Sequence, residues 1–137
     1  MSAQFTSQWP RIRRFLHIDN PTGTVDGDYL TFLRTEDRLD PAERAAAYEE
    51  WADFYEWRLA RRAGELATDR VKRYLAAEWT ESMAYSCRRS AAFARGEDPG
   101  PCVPLSARRP DLAEERLAIT AETVANLEPR TQLAKAG

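Results

Sequence analysis

The densest group of residues that could do chemistry is a set of four carboxylates, Glu49, Glu50, Asp53 and Glu56. Clustered carboxylates in a helical protein suggest a carboxylate-bridged di-iron site. Such a site also needs Glu-x-x-His motifs on facing helices. The chain has a single histidine, His17, and it does not stand in such a motif. We therefore predict no metal site and no cofactor.

A second candidate for chemistry is Cys87, which is followed directly by Arg88 and Arg89. Nearby cations favour the thiolate, so this neighbourhood predicts a lowered cysteine pKa. The only base that the sequence offers as a partner is His17, and there is no Ser-centred elbow or Gly-rich phosphate loop. We assign no catalytic residue. An enzyme whose site is assembled from Tyr, Arg and Glu across helices is retained as the third hypothesis.

The composition is that of an ordinary globular protein, with 137 residues, 43% hydrophobic and 31% charged residues, and a net charge of −2. No run of about 18 apolar residues is present, so we expect no membrane association. Cys87 and Cys102 are too few for a disulfide framework, and no signal peptide is recognisable, so we expect a cytoplasmic location. Eighteen arginines against two lysines suggest a bacterial genome of high GC content.

The elements that must position these residues are helices. Asp40, Pro41 and Glu43 form a start signal with a capping box, and Gly64 is a suitable stop, which predicts a helix over 41–63. A second helix is expected over 69–95, ended by Gly96. We predict an all-α, single-domain helical bundle built on this long antiparallel hairpin, with shorter helices before and after it. The remaining segments are an irregular N-terminal arm over 1–25, a Pro/Gly-rich loop over 96–110 and a disordered tail over 130–137.

Apolar residues at helical spacing predict which face of each helix is buried. The first hairpin helix has the stripe Tyr48, Trp51, Ala52, Tyr55 and Leu59. The second has the stripe Val71, Leu75, Trp79, Ser82, Ser86 and Phe93. In the last helix, which Pro129 is expected to end near Glu128, the stripe is Leu117, Thr120, Val124 and Leu127.

Two aromatic residues of the first hairpin helix lie outside its stripe. Phe54 and Trp57 occupy a second flank, between Glu50 and Arg61. The simpler interpretation is that another helix of the same chain covers these two side chains. Because the flanking helices are too short to cover the hairpin, our leading hypothesis is a non-enzymatic interaction or regulatory protein that forms a homodimer or binds a protein partner through these four residues.

The alternative hypothesis is a DNA-binding regulator. Residues 59–75 resemble a helix-turn-helix, in which Arg61, Arg62, Arg70, Lys72 and Arg73 would contact nucleic acid. Two features depart from that pattern: the spacing from Gly64 to Val71 is one residue too long, and Glu65 occupies the hydrophobic turn position. The two flanking helices are also longer than the pattern requires, and a helical hairpin explains their lengths better.

The charge pattern gives this basic segment a second interpretation. Residues 36–57 carry a net charge of −6 and residues 58–95 carry +5. If the two halves of the hairpin fold against each other, their charges neutralise one another and the arginines are structural.

Overall fold

The computed structural model describes residues 8–16 and 24–136, with side chains through Leu127. His17, for which we predicted no catalytic role, and part of the N-terminal arm lie outside these ranges. All regular structure in the described ranges is helical. Within these ranges, five α-helices have defined bounds: α1 (Val25–Thr35), α2 (Pro41–Leu66), α3 (Arg70–Ala94), α4 (Leu105–Arg108) and α5 (Pro110–Ala136). The predicted all-α class and the long antiparallel pair, α2 with α3, are confirmed.

The described chain divides into two compact units. The first contains the residues up to Arg61 together with Thr80–Gly100, and the second contains Arg62–Trp79 and the residues from Pro101 onward. Helices α2 and α3 each contribute to both units. That the chain is a single domain stays a prediction.

Local signals explain the start of α2 and the end of α3. The Asp40 carboxylate accepts a hydrogen bond from the backbone N–H of Glu43 at 2.9 Å, as the capping box predicts. Gly96 has a φ of 78°, and the Glu97 N–H returns to the Ala92 carbonyl, the bond that closes a Schellman motif. Only a residue that tolerates positive φ ends a helix in this way, so the expected stop at Gly96 is confirmed.

The predicted stop of α2 at Gly64 is wrong. Gly64 lies inside the helix, which continues to Leu66, and Asp69 then caps α3 by accepting from the Lys72 N–H at 3.0 Å. Leu66 is buried, so continuing the helix for two more residues places an apolar side chain out of water. A glycine in a helix costs only about 1 kcal/mol relative to alanine, which such burial offsets.

The core of the first unit is built from aromatic rings. On α2, the predicted side chains Tyr48, Trp51, Ala52 and Tyr55 are buried, and Leu59 at the end of the stripe is half-buried. On α1, Tyr29 and Phe32 are buried, and Tyr29 meets Trp51 edge-on with 5.3 Å between ring centroids. The N-terminal segment adds Trp9, Ile12 and Phe15. Large aromatic rings at helical spacing can be buried together on only one face of a helix. The buried face of α2 could therefore be predicted from the sequence.

The predicted inner face of α3 is wrong. Val71, Leu75, Trp79 and Phe93 are exposed, and the buried residues of this helix include Tyr74, Thr80, Ala84, Cys87, Ala91 and Ala92. In the first unit, the small side chains at 84, 87 and 91 belong to the same core as the large rings of α2. Small residues let a helix approach bulky neighbours closely. The close packing of this face stabilises the fold more than burial of the apolar stripe would.

Helix α5 differs from expectation in the same way. Leu117, Thr120, Val124 and Leu127 are exposed, whereas Leu112 is buried. The helix also continues past Pro129 to Ala136 rather than ending near Glu128. The residues around Pro129 are mostly strong helix formers, so the loss of one backbone hydrogen bond at the proline does not end the helix. The 96–110 segment is likewise not entirely loop, because α4 forms one helical turn within it.

Candidate interaction and binding surfaces

The aromatic patch predicted to bind a partner is largely internal. Phe54 is 1% exposed, and Trp9 packs edge-on against it with 5.3 Å between ring centroids. Trp57 stacks on Phe54 at 5.7 Å and also meets Trp9. The assignment of Phe54 to a partner surface is therefore corrected: it is part of the core. The sequence left it uncovered because the segment that carries Trp9 could not be assigned a structure.

The two charged residues that flank this patch have intramolecular roles. Glu50 is buried and accepts hydrogen bonds from the Arg11 backbone N–H at 2.9 Å and from the Arg11 guanidinium at 2.8 Å. The guanidinium of Arg61 lies over the half-buried Trp57 ring, 5.2 Å from its centroid. Glu50 thus fixes the N-terminal segment over the aromatic core, and Arg61 covers the remaining ring face.

The basic residues proposed to contact DNA are engaged within the chain. Arg70 donates to Glu115 and, at 2.6 Å, to Glu122, two acidic residues on α5. Hydrogen bonds to these two carboxylates raise the pKa of Arg70 above its ordinary value. Arg70 therefore holds α5 against the start of α3 within the second unit, a role that the sequence did not indicate.

The other members of the basic segment have weaker contacts. Arg62 forms an ion pair with Glu65 at 3.6 Å, and Lys72 lies 3.9 Å from Asp69. Arg73 donates to the Ala67 carbonyl. Exposed pairs of this kind contribute little to stability and are readily exchanged for other partners. DNA binding by this segment stays an untested alternative.

The opposite charges on the two hairpin helices pair with each other in the first unit. Arg88 on α3 donates to Glu49 at 2.8 Å and to Asp53 at 3.0 Å, both on α2. The same guanidinium contacts Glu56 at 3.2 Å, and Arg95 contacts Glu49 at 3.5 Å. Burial alone would lower the pKa of Arg88, but its hydrogen bonds to Asp53 and Glu56 raise it above its ordinary value. All four clustered carboxylates are therefore structural partners of arginine, Glu50 through Arg11 and the other three through Arg88.

Cys87 does not have the properties of an activated nucleophile. Its side chain has no exposed surface, and its thiol lies 3.5 Å from the Tyr29 hydroxyl. Burial raises the pKa of Cys87 to about 11, although Tyr29 and Arg88 act in the opposite direction. The expected lowering of its pKa by neighbouring arginines is therefore wrong. Removing the thiolate from water destabilises it by more than the partly exposed Arg88 guanidinium stabilises it.

The second unit has a small core and a large exposed apolar surface. Its buried large apolar side chains, among those described, are Leu66, Tyr74 and Leu112. It exposes Val71, Leu75, Trp79, Val103, Leu117, Val124 and Leu127. Most of these exposed residues belong to the two stripes that the sequence analysis assigned to the core. Both stripes keep helical spacing, and their large apolar side chains are exposed.

A groove in the second unit lies beside these stripes. Tyr74 of α3, the start of α4 and one face of α5 enclose about 440 Å³. Tyr74 is 7% exposed, and its hydroxyl, which is buried, forms no hydrogen bond of normal geometry. Burial, followed by the nearby Glu78 carboxylate, raises the pKa of Tyr74, and the nearby Arg116 guanidinium acts in the opposite direction. Leaving such a hydroxyl unsatisfied costs about 1–3 kcal/mol, which makes this groove a candidate binding site.

The fold and these surfaces define the protein as an all-α helical bundle. Within the described ranges, no helix is both long enough and apolar enough to cross a membrane, and no three His, Cys, Asp or Glu side chains are grouped as ligands for a metal ion. Comparison with protein-family models, with curated proteins and with solved structures finds no match.

Proposed function

We propose that this protein is a non-enzymatic helical interaction module that self-associates through the second unit. The observation that carries the proposal is the pair of exposed apolar stripes. Val71 and Leu75 on α3 are 49% and 55% exposed, and Leu117 and Val124 on α5 are 71% and 48% exposed. This surface replaces the patch at Phe54 and Trp57 as the proposed partner-binding site.

The spacing of these residues is that of helix–helix interfaces. Val71 and Leu75 are four residues apart, and Leu117 and Val124 are seven apart, so each pair lies along one side of its helix. Monomeric proteins rarely leave large contiguous apolar patches in water. Burying one such leucine contributes about 2 kcal/mol. Among the described side chains of this unit, only three large apolar ones are buried, so association would add substantially to its buried apolar surface.

A second copy of the chain is the simplest partner for this surface. In a twofold dimer, the same stripes of two copies meet across the axis, so no further chain is needed. The small net charge of −2 opposes such an assembly only weakly. The conclusion is a homodimeric interaction or regulatory protein.

The test is the oligomeric state of wild-type protein and of Leu75→Glu by sedimentation velocity over a range of concentrations. We expect a wild-type dimer and at least about tenfold weaker association for the variant, because a glutamate would be buried in the interface. Leu30→Glu is the matched control, since Leu30 is 54% exposed but lies on α1 in the first unit. A monomeric wild-type protein, or equal effects of the two variants, would contradict the proposal.

A further inference from the structure

The groove of the second unit is lined by both apolar and polar residues. Leu105 of α4 and Leu117 of α5 contribute apolar surface, and Tyr74 and Arg116 contribute polar atoms. Its volume of about 440 Å³ is within the range of small-molecule sites in proteins. The arrangement suits a ligand with an apolar body and one polar end.

The hydroxyl of Tyr74 is the first indication of what the polar end would be. Tyr74 is more than nine-tenths buried, and its hydroxyl forms no hydrogen bond of normal geometry, although the Glu78 carboxylate and the Arg116 guanidinium lie nearby. Buried hydroxyls in proteins are nearly always paired. An acceptor atom of a ligand in the groove would satisfy this donor.

The charge of the groove is the second indication. Arg116 is the one charged residue among the described residues that line it, and it forms no ion pair with any described side chain. Two other arginines of this unit, Arg70 and Arg109, pair with carboxylates. Thr120 already donates its hydroxyl proton to the Arg116 carbonyl at 2.8 Å and cannot take the donor role in the groove. The donors that face the groove therefore select an anionic acceptor.

We propose that this groove binds a small amphipathic carboxylic acid. The carboxylate accepts hydrogen bonds from the Arg116 guanidinium and the Tyr74 hydroxyl, and the hydrocarbon part lies against Leu105 and Leu117. Glu78 is also near the Tyr74 hydroxyl but is not among the residues that line the groove. This site adjoins the proposed self-association surface, and the two share Leu117.

The test is a titration of the full-length, isotopically labelled protein with sodium octanoate, followed by amide chemical shifts. We expect saturable shifts centred on Tyr74, Leu105 and Thr120. 1-Octanol has the same chain without the charge, and we expect it to bind at least about tenfold more weakly, since the charged hydrogen bonds are lost. Equal binding of the two compounds, or no saturable binding of octanoate, would overturn the proposal.

Two variants separate the polar contacts from the apolar ones. Arg116→Gln is expected to weaken octanoate binding by at least about tenfold and to leave 1-octanol binding unchanged. Tyr74→Phe removes only the hydroxyl and is expected to weaken octanoate binding by about fivefold. Lys72→Gln is the control, because Lys72 is an exposed cation outside the groove. Unchanged octanoate affinity in Arg116→Gln, or an equal loss in Lys72→Gln, would refute the site.

The same titration of Leu75→Glu distinguishes this site from the self-association surface. Leu75 does not line the groove. We expect octanoate to bind this variant as it binds the wild type, whatever its oligomeric state. Loss of binding in Leu75→Glu would show that the groove of one chain is not a complete site, against the proposal.

Discussion

Trp9 packs edge-on against Phe54, with 5.3 Å between the two ring centroids. The contact joins the N-terminal segment to the middle of α2, and the two hydrogen bonds from Arg11 to Glu50 hold the segment in place beside it. A short stretch without a recognisable helical pattern therefore covers the rings that the sequence left exposed. The exposed apolar surface that we propose as the partner-binding site lies instead on the second unit.

Replacing Trp9 with alanine is expected to destabilise the protein by about 3–5 kcal/mol, because a buried indole leaves a cavity beside Phe54 and Trp57. Urea unfolding followed by circular dichroism measures the loss. Trp79→Ala is the matched control, since Trp79 is exposed, and its effect should be below about 1 kcal/mol. Equal losses in the two variants would show that Trp9 is not part of the core.

Replacing Arg88 with glutamine is expected to cost about 1 kcal/mol of stability, because Glu49, Asp53 and Glu56 then repel one another without a shared cation. The value is small because the guanidinium and these carboxylates are all partly exposed. The loss should shrink in 1 M salt, which screens both attraction and repulsion. Arg62→Gln is the control, since Arg62 pairs with Glu65 within a single helix, and its effect should be a few tenths of a kcal/mol. A loss that is independent of salt would contradict the electrostatic interpretation.

Alkaline pH is expected to destabilise the protein through Cys87. Because burial raises the pKa of this thiol from 9.0 to about 11, the folded state keeps the proton more tightly than the unfolded state does. Its contribution is fully present below pH 9 and is lost as the pH rises to about 11, a change of about 2 kcal/mol. The free energy of unfolding of the wild type and of Cys87→Ala, measured under reducing conditions, tests this.

The comparison with Cys87→Ala isolates the thiol from the buried tyrosines. Burial also raises the pKa values of Tyr29, Tyr48 and Tyr55, so both proteins should lose stability at high pH. The wild type should lose about 2 kcal/mol more than the variant between pH 9 and pH 11. Parallel curves for the two proteins would show that the thiol titrates equally in the folded and unfolded states.

Local signals determined most of the helices. Asp40 and Pro41 mark the start of α2, and Gly96 marks the end of α3 as predicted. These residues act on backbone groups within one turn, so their effect does not depend on the rest of the chain. Signals that compete with packing were less reliable, as the helical Gly64 shows. Burial of Leu66 outweighed the preference of glycine for a helix end.

The aromatic face of α2 was also determined by the sequence, because Trp51 and Tyr55 are too large to remain in water when a core is available. The buried face of α3 was not. Its apolar stripe and its row of small residues both have helical spacing. Neither the spacing nor the composition predicts which of the two faces is buried. The structure buries Ala84, Cys87 and Ala91 in the aromatic core.

The positions of the candidate sites depend on which face of α3 is buried. Once the small residues of α3 are buried, Val71 and Leu75 are exposed, and Tyr74 lines the groove beside α5. The sequence by itself determined the helical class, the hairpin and the opposite charges of its two halves. Only the tertiary structure decided which faces meet, because that depends on the fit of side chains distant in sequence and not on any local preference.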